Sequence, residues 1–404
     1  MKILCALGKY QYGDPSRGLS TEYAAFMPAL RNLGHDVVHF ELWDRSRYAD
    51  YDELNQFMLK AVDRECPDVL LTVQLQYEIF IETLETIRKR GDVATICWTT
   101  DDSWKYREVS RFIGRYYHAM TTTYPEVIAR YRRDGISHIL PTQWAARSDQ
   151  LFSPLPAHQC RYPVSFVGEA HGNRKRRIQC LRKQGISVSC FGYGWPSGPV
   201  SADDVPKIMR DSVISLNFAN SRGRRNQIKA RTFEVPGAGG FLLTESAPHL
   251  ENWYIPDREI AVFRGDQDLV NQIKYYLSHP GIRNRMAAAG FERTCSDHVY
   301  EKRLQFVLDH ALDARRDDMR NSGDTAFKYA RDMAFNLASG PSPSETGRLI
   351  PLIRRILVRG LGRIFGNRRG LRAARRIVFE LSWRLAGERT FSKSGWPARM
   401  FPEL

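Results

Sequence analysis

The sequence lacks the features that mark membrane-spanning or secreted proteins. It contains no run of about 18 apolar residues, the length that a transmembrane helix needs, and its first apolar stretch is too short for a signal peptide. Its seven cysteines are odd in number and have no paired metal-ligand spacing, a pattern typical of free thiols in a reducing compartment. These absences predict a cytoplasmic protein without a transmembrane helix or a structural zinc.

The patterns of several enzyme classes are also missing. The chain has no G-x-G-x-x-G fingerprint of a dinucleotide-binding turn. No Ser-His-Asp or Cys-His arrangement is discernible, and no paired-carboxylate pattern of a glycoside hydrolase stands out. Lone histidines such as His35 and His118 are expected to be packing or surface groups. We therefore expect no NAD binding, no triad-type hydrolysis, no metal and no other cofactor.

Positive charge is abundant, but it is concentrated at one end of the chain. The formal net charge is +15, and residues 341–404 hold 14 Lys and Arg against 4 Asp and Glu. The remaining 340 residues therefore have an ordinary charge balance. Because the basicity belongs to a tail, it does not predict a nucleic-acid-binding body.

Strand-like and helix-like segments alternate along most of the chain. The predicted strands are Ile3–Leu7, Val37–Leu42, Val69–Val73 and Val93–Trp98 in the first half, and Val164–Val167, Val188–Phe191, Val213–Leu216, Gly240–Leu243 and Glu259–Phe263 in the second. This rhythm predicts an α/β protein with parallel, doubly wound sheets. We expect two Rossmann-like domains facing each other across a cleft, at 1–145 and 160–320, with a hinge at 141–163 and a tail at 341–404.

The most informative motif is the stretch 227–245, where a charged helix precedes a glycine-rich turn and an apolar strand. Lys229 and Arg231 are suitable cations for the phosphates of a nucleotide sugar, and Glu234 is a suitable carboxylate for ribose hydroxyls. Gly239 lets the backbone approach a ligand. Asn217, which follows the strand Val213–Leu216, is a further candidate for donor binding. The alternative is a solvated charged helix that ends in a glycine cap.

A second candidate site is the loop at 165–177, which leads from a strand into a helix. Gly168 lies in the loop, and Arg174 or Lys175 lies at the start of the helix. Free backbone N–H groups at a helix N-terminus, together with a cation, bind anions. A glycine loop of this kind is common in α/β proteins, so the signal is weak by itself.

Two loops of the first domain are candidates for ligand contacts. Gly13, Arg17 and Gly18 follow the first strand at the edge where doubly wound sheets bind ligands. Asp102 follows the strand Val93–Trp98, beside aromatic residues, and suits binding of sugar hydroxyls or general-base work. A surface turn is the alternative for the first loop, and capping of the next helix is the alternative for Asp102.

These motifs together resemble the CgeB-like, spore-maturation-protein type of glycosyltransferase, within the family 1 and family 4 glycosyltransferases. The resemblance covers roughly residues 1–310 and is most specific across 165–245. It implies a GT-B fold, retaining transfer without a metal, a C-terminal domain that holds the sugar nucleotide, and an N-terminal domain that holds the acceptor. It also implies that Glu234 binds the donor ribose. The partner glutamate of the family, eight residues earlier, is Asn226 here.

The tail contains a predicted amphipathic helix at 346–365 and a second basic, apolar stretch at 371–385. Leu349, Leu352, Ile353, Ile356 and Leu357 share one face of the first helix, and Arg348, Arg355 and Arg359 share the other. A basic amphipathic helix of this kind lies on anionic membranes. The alternative is that the tail packs on the N-terminal domain with its arginines solvated.

From these observations we expect a glycosyltransferase that moves a sugar from a nucleoside-diphosphate sugar, its co-substrate, to a hydroxyl acceptor. Asp102, Arg174 and Lys229 are the expected catalytic residues, and the other residues above bind the donor. The acceptor is expected to be a glycan, a lipid-linked precursor or a protein, and nucleic acid is not an expected partner. The protein would be cytoplasmic and peripheral at the inner face of the cell membrane. The alternative function is a non-catalytic, glycosyltransferase-like binding protein.

Overall fold

Two parallel sheets organise the protein. The computed structural model describes residues 1–44, 46–221, 226–322 and 349–402. The chain divides into two compact units: unit 1 contains Met1–Pro141 and Gln305–Leu404, and unit 2 contains Thr142–Leu304. Each unit has one sheet flanked by helices, which confirms the predicted α/β class.

Unit 1 is built on a six-stranded sheet in the order β2-β1-β3-β4-β5-β6. Its strands are β1 (Lys2–Leu7), β2 (Asp36–Glu41), β3 (Val69–Thr72), β4 (Ala94–Trp98), β5 (Ala119–Thr122) and β6 (Ile139–Pro141). Its helices before residue 142 are α1 (Thr21–Asn32), α2 (Tyr51–Glu65), α3 (Ile81–Arg90), α4 (Asp102–Lys105), α5 (Arg111–Ile113) and α6 (Ile128–Arg133). All six strands pair in parallel, and every residue of β3 and β4 is buried, as expected for a sheet that is covered on both faces.

Unit 2 is built on a five-stranded parallel sheet in the order β11-β10-β9-β7-β8. Its strands are β7 (Tyr162–Val167), β8 (Ser189–Phe191), β9 (Ser212–Asn217), β10 (Leu242–Glu245) and β11 (Ala261–Phe263). Its helices are α7 (Arg174–Lys183), α8 (Asp204–Arg210), α9 (Arg231–Gly237), α10 (Asp266–Ser278) and α11 (Pro280–Asp297), and α12 (Tyr300–Ser322) continues from unit 2 into unit 1. The first strand of the unit, β7, has later strands on both sides, so the direction of winding changes between β7 and β9. Doubly wound sheets bind their ligands at such a switch point.

The described part of the C-terminal tail groups with the N-terminal residues in unit 1. Within the described residues it forms α13 (Leu349–Phe365), α14 (Asn367–Leu385) and α15 (Trp396–Met400), all of them in unit 1. The ring of Phe379 stacks on Tyr77 at 5.7 Å, and the ring of Phe391 stacks on Phe112 at 5.6 Å. Residues 341–348, including Arg348, lie outside the described residues. The tail therefore contributes aromatic side chains to the core of the N-terminal unit.

Helix α13 divides into an inward and an outward face, and the division differs from the predicted one. Leu357 and its neighbours Val358 and Leu361 pack against α14 and Phe401. Leu352 and Ile356 are instead exposed, at 51% and 64% of their surface. Leu357 was expected on the same face as these two residues, and it lies opposite because the hairpin partner covers only one side of the helix. No helix within the described ranges is both long and apolar enough to cross a bilayer.

Candidate functional site

The candidate site lies at the carboxyl edge of the unit 2 sheet, where β7 and β9 end. Gly168 directly follows β7, and Asn217 is the last residue of β9. Helix α7 begins at Arg174 after the loop from β7, and helix α9 begins at Arg231 after the loop from β9. The fold thus brings together the two motifs that the sequence analysis singled out, which are separated by about sixty residues in the chain.

Two neighbouring residues, Arg231 and Gly192, pack closely on Gly168. Its φ angle is +153°, and a Cβ added to it would lie 2.8 Å from Nη2 of Arg231. On the other side, a Cβ on Gly192 would lie 2.5 Å from the Gly168 carbonyl oxygen. The Trp195 indole N–H donates to that same carbonyl at 2.7 Å. The loop after β7 is therefore fixed by its neighbours, and the guanidinium of Arg231 occupies the space that a side chain would fill.

Arg174 and Arg231 form a pair of positive charges over one aromatic ring. Their guanidinium carbons lie 5.3 Å and 5.9 Å from the ring centroid of Phe166. Burial and the neighbouring charge of Arg231 lower the pKa of Arg174 to about 10. Burial also lowers the pKa of Arg231. Two like charges that are largely withdrawn from solvent repel each other, so this arrangement favours an anion that binds between them.

The hydrogen bonds of this pair leave donors for a ligand. Nη1 of Arg174 donates to the Glu169 carbonyl at 2.8 Å, which orients the side chain along the loop. Nε of Arg231 is buried and donates no hydrogen bond to any residue that the structure describes. An unsatisfied buried N–H costs about 1–3 kcal/mol. A bound phosphate oxygen would accept that hydrogen bond.

Lys229 and the imidazole of His171 belong to the same cluster, and one predicted cation does not. Burial is the main cause that lowers the pKa of His171, and the nearby charges of Arg174, Lys229 and Arg231 lower it further. Lys229 therefore lies in the same field as the two arginines. Lys175 is exposed and lines a separate, open concavity with Arg182 and Trp195. The sequence left Arg174 and Lys175 as alternatives, and the structure brings Arg174 into the cluster.

Glu234 lies on α9, one turn after Arg231. Burial raises the pKa of its carboxyl, and the charges of Arg231 and Arg147 act in the opposite direction. Its side chain is half-buried, and its carboxylate accepts no hydrogen bond from another described residue. A half-buried carboxylate beside two cations remains available to accept hydrogen bonds from the hydroxyls of a ligand.

The same carboxyl edge of the unit 2 sheet also carries Asn217. It includes a charged pair, Arg177 and Glu245, that the sequence analysis missed. The Asn217 amide donates to Oγ1 of Thr244 at 2.9 Å, while its carbonyl oxygen is buried and accepts no hydrogen bond from the described residues. Nη1 of Arg177 lies 2.8 Å from Glu245, whose other oxygen accepts from the backbone N–H of Ala219 at 3.0 Å. The Arg177–Glu245 pair therefore fixes the loop after β9. The only sequence signal was its place one turn after Arg174.

The structure gives a packing role to Gly239. Its φ angle is +76°, and a Cβ there would lie 2.2 Å from the carbonyl oxygen of Phe152. A glycine is needed there because the backbone at 152–154 crosses it, and donor binding by Gly239 stays a prediction.

Asp102 in unit 1 is also a structural residue by its contacts. It is 1% exposed, and its carboxylate accepts hydrogen bonds from Thr99 and Ser110 at 2.7 Å and from Tyr131 at 2.9 Å. Burial raises the pKa of this carboxyl. Three donors inside its own unit satisfy both oxygens, which favours a structural role over the predicted catalytic one.

The predicted residues of the first loop lie together after β1. A Cβ on Gly13 would lie 2.1 Å from the Trp43 carbonyl oxygen, so Gly13 is a packing glycine, whereas Gly18 has open space around it. Arg17 is half exposed, lies 3.7 Å from Asp14 and stacks over the ring of Tyr12. Ligand binding by this loop stays a prediction.

Replacing Gly168 by alanine tests the close approach of Arg231. The new methyl group would push the guanidinium away from Phe166, because the end of an arginine side chain moves more easily than backbone. We expect binding of a sugar nucleotide, measured by calorimetry, to weaken about 10-fold, equivalent to roughly 1.4 kcal/mol. Gly172→Ala is the matched control, since its φ is also positive, at +60°, but its nearest neighbour is 3.9 Å away. Equal affinity of the two alanine variants would contradict the packing argument.

The fold is that of the GT-B glycosyltransferases. Residues 174–309 match the model of a family described as glycosyl transferase-like, and this range contains Arg174, Lys229, Arg231 and Glu234. A search of curated proteins finds no sequence that matches this chain. The matched range lies mostly in unit 2, and its similarity to a glycosyltransferase-like family agrees with the architecture of that unit.

Solved structures share the architecture at low sequence identity. Sucrose-phosphate synthase from Thermosynechococcus elongatus has a TM-score of 0.54 at 12% identity, over 76% of this chain and 97% of that chain. A glycosyltransferase from Rickettsia africae has a TM-score of 0.52 at 12% identity, over 78% of this chain and 98% of that chain. Anabaena HepE in complex with UDP and glucose has a TM-score of 0.52 at 10% identity, over 76% and 98% of the two chains. At these identities the similarity shows the fold alone.

Proposed function

We propose that this protein transfers a hexose-type sugar from a nucleoside diphosphate to a hydroxyl acceptor. The observation that carries the proposal is the arginine pair at the switch point of the unit 2 sheet, the buried Arg174 and the half-buried Arg231. A nucleoside diphosphate is both the anion that such a pair binds and the leaving group of sugar transfer. Glu234 lies one turn away from Arg231, where it would hold the ribose. The structure of HepE with UDP and glucose supports a donor of this class.

In the proposed reaction, the charge that develops on the departing diphosphate is stabilised by protein cations. Arg174, Arg231 and Lys229 are already in place before the bond breaks, so they need little reorganisation in the transition state. Asp266 and Asp268 have the Asp-x-Asp spacing of a metal motif, but Asp266 pairs with Arg177 at 3.0 Å and Asp268 accepts from the Arg264 backbone N–H at 2.7 Å. We therefore propose turnover that requires no metal. Retention of the anomeric configuration and membership of the CgeB-like type are parts of the same proposal.

The experiment has two readouts, binding and transfer. A thermal-shift screen against a panel of sugar nucleotides should raise the Tm for the correct donor, because a ligand that binds only the folded state stabilises it. With that donor we expect release of the nucleoside diphosphate and a glycosylated acceptor, at the same rate with and without EDTA. Loss of turnover in EDTA that Mn²⁺ or Mg²⁺ restores would overturn the metal-independent mechanism.

A second candidate function, binding of a sugar nucleotide without transfer, is favoured by one observation. Asn226 stands where the resembled family has its first glutamate, and its amide donates to the Ser246 carbonyl at 2.9 Å. The side chain at that position therefore anchors the loop after β9. A rise in Tm with a sugar nucleotide, without its hydrolysis or transfer to any hydroxyl acceptor tried, would favour this second function.

A further inference from the structure

Helix α13 presents a surface that makes no packing contact with the part of the chain that the structure describes. Its outward side carries Leu352, Ile353 and Ile356 together with Arg355, Arg359 and Arg363, and we name this set the outer face of α13. Leu352, Ile353 and Ile356 are exposed at 51%, 45% and 64%. The opposite side supplies the packing contacts of the hairpin. The outer face is therefore free to meet another surface without a change in fold.

The charge on this hairpin has one sign. Helix α13 contains four arginines and no acidic residue, and α14 contains six arginines and one glutamate, Glu380. Glu380 forms ion pairs with Arg376 and Arg384 of its own helix. Arg355, Arg359 and Arg363 are exposed and form no ion pair with any residue in the described ranges. Their charge is thus available to an external partner.

We propose that the outer face of α13 docks on an anionic lipid bilayer. Arginines beside exposed aliphatic side chains on one helix match the headgroup region, where charge meets phosphate and the apolar groups enter the boundary of the acyl chains. A nucleic acid would satisfy the arginines but leave Leu352, Ile353 and Ile356 in water. A second copy of this face would bring like charges together. The surface belongs to unit 1 and the donor site to unit 2, and the proposal does not depend on the transfer reaction.

The test uses the full chain and vesicles, because removal of the tail would also remove Phe379 and Phe391 from the core of unit 1. We expect cosedimentation with vesicles that contain phosphatidylserine and little binding to pure phosphatidylcholine. Arg359→Gln combined with Arg363→Gln should weaken binding about 30-fold, which corresponds to about 1 kcal/mol for each arginine. The control is Arg132→Gln combined with Arg133→Gln, two exposed arginines of α6 in the same unit.

A second pair of variants tests the apolar contribution. Leu352→Gln combined with Ile356→Gln should weaken vesicle binding about 10-fold, because these side chains no longer enter the headgroup boundary. The control is Leu277→Gln combined with Ile255→Gln, which are exposed at 39% and 41% in unit 2. An unchanged Tm in every variant shows that the effect belongs to the surface and not to folding.

Three results would overturn the proposal. The first is equal vesicle binding by the outer-face variants and their controls. The second is a dimer that dissociates in the Leu352 and Ile356 variant, which would assign the face to a second copy of the chain. The third is salt-sensitive oligonucleotide binding that depends on Arg359 and Arg363 and competes with vesicles, which would assign the face to nucleic acid.

Discussion

Replacement of Arg231 by glutamine is expected to lower kcat by about 10²–10³-fold, the cost of removing one preorganised charge from a transition state. Arg174→Gln should have a similar effect, since both guanidinium groups lie over Phe166. The measurement is the steady-state rate with saturating donor, together with the Tm to show that the fold is intact. Arg231→Lys should recover only part of the activity, because an ammonium cannot reproduce the planar fork of donors.

Lys175, which directly follows Arg174, provides a control for the loss of one positive charge from helix α7. Lys175→Gln removes the same charge from the same helix, but Lys175 is exposed and lines a different concavity. We expect its kcat to stay within about twofold of the wild-type value, as for an exposed charge that solvent screens. If Lys175→Gln were as damaging as Arg174→Gln, the effect would come from the net charge of the helix N-terminus and the paired-arginine site would be wrong.

The second large effect is expected from Glu234→Gln, which should weaken donor binding by about 1.5–3 kcal/mol, the contribution of a charge-assisted hydrogen bond to the ribose. Glu292→Gln, at an exposed position on α11, is the control. The measurement is the donor Kd by calorimetry. An intact variant that binds the nucleotide with unchanged affinity would show that Glu234 does not contact the donor.

The same carboxylate predicts a pH dependence. Burial raises the pKa of Glu234 above its ordinary value, so the ionised form is lost at a higher pH than for a solvated glutamate. If the ionised form binds the ribose, donor affinity falls as the pH is lowered through that raised pKa. The glutamine variant should lack this step in a plot of Kd against pH. A step that persists in the variant must come from another group, and His171 would then be the next residue to replace.

The sheets were largely predictable, because β1 to β4 and β7 to β11 are apolar segments between helical patterns. The prediction missed β5 and β6, which have only four and three residues. They become strands through pairing at the edge of the sheet, where β5 pairs in register with β4 and β6 pairs in register with β5. Their identity is a tertiary property that local sequence does not contain.

The sequence predicted which motifs form the site, but it did not predict which residues of those motifs take part in it. Arg174 and Lys175 are adjacent and chemically similar, and only the phase of α7 directs the first inward and the second to solvent. The Arg177–Glu245 pair joins residues on different elements, so no local pattern indicates it. Asp102 has the residue type and strand-end position of a catalytic carboxylate, yet three neighbouring hydroxyl groups satisfy it. Such partners are brought together by packing.

The hydrogen bond from the Tyr51 backbone N–H to the Pro402 carbonyl, at 3.0 Å, joins the start of α2 to the last described residue of the chain. Phe391 and Phe401, which are almost fully buried, belong to the same closing segment. During synthesis these residues emerge from the ribosome after every residue of unit 2, so unit 1 cannot complete its core before unit 2 has been translated. Unit 2 is free of this constraint, because all of its residues emerge earlier. The order of folding would thus be opposite to the usual N-terminal-first order, and the N-terminal sheet would still lack these core side chains while unit 2 folds.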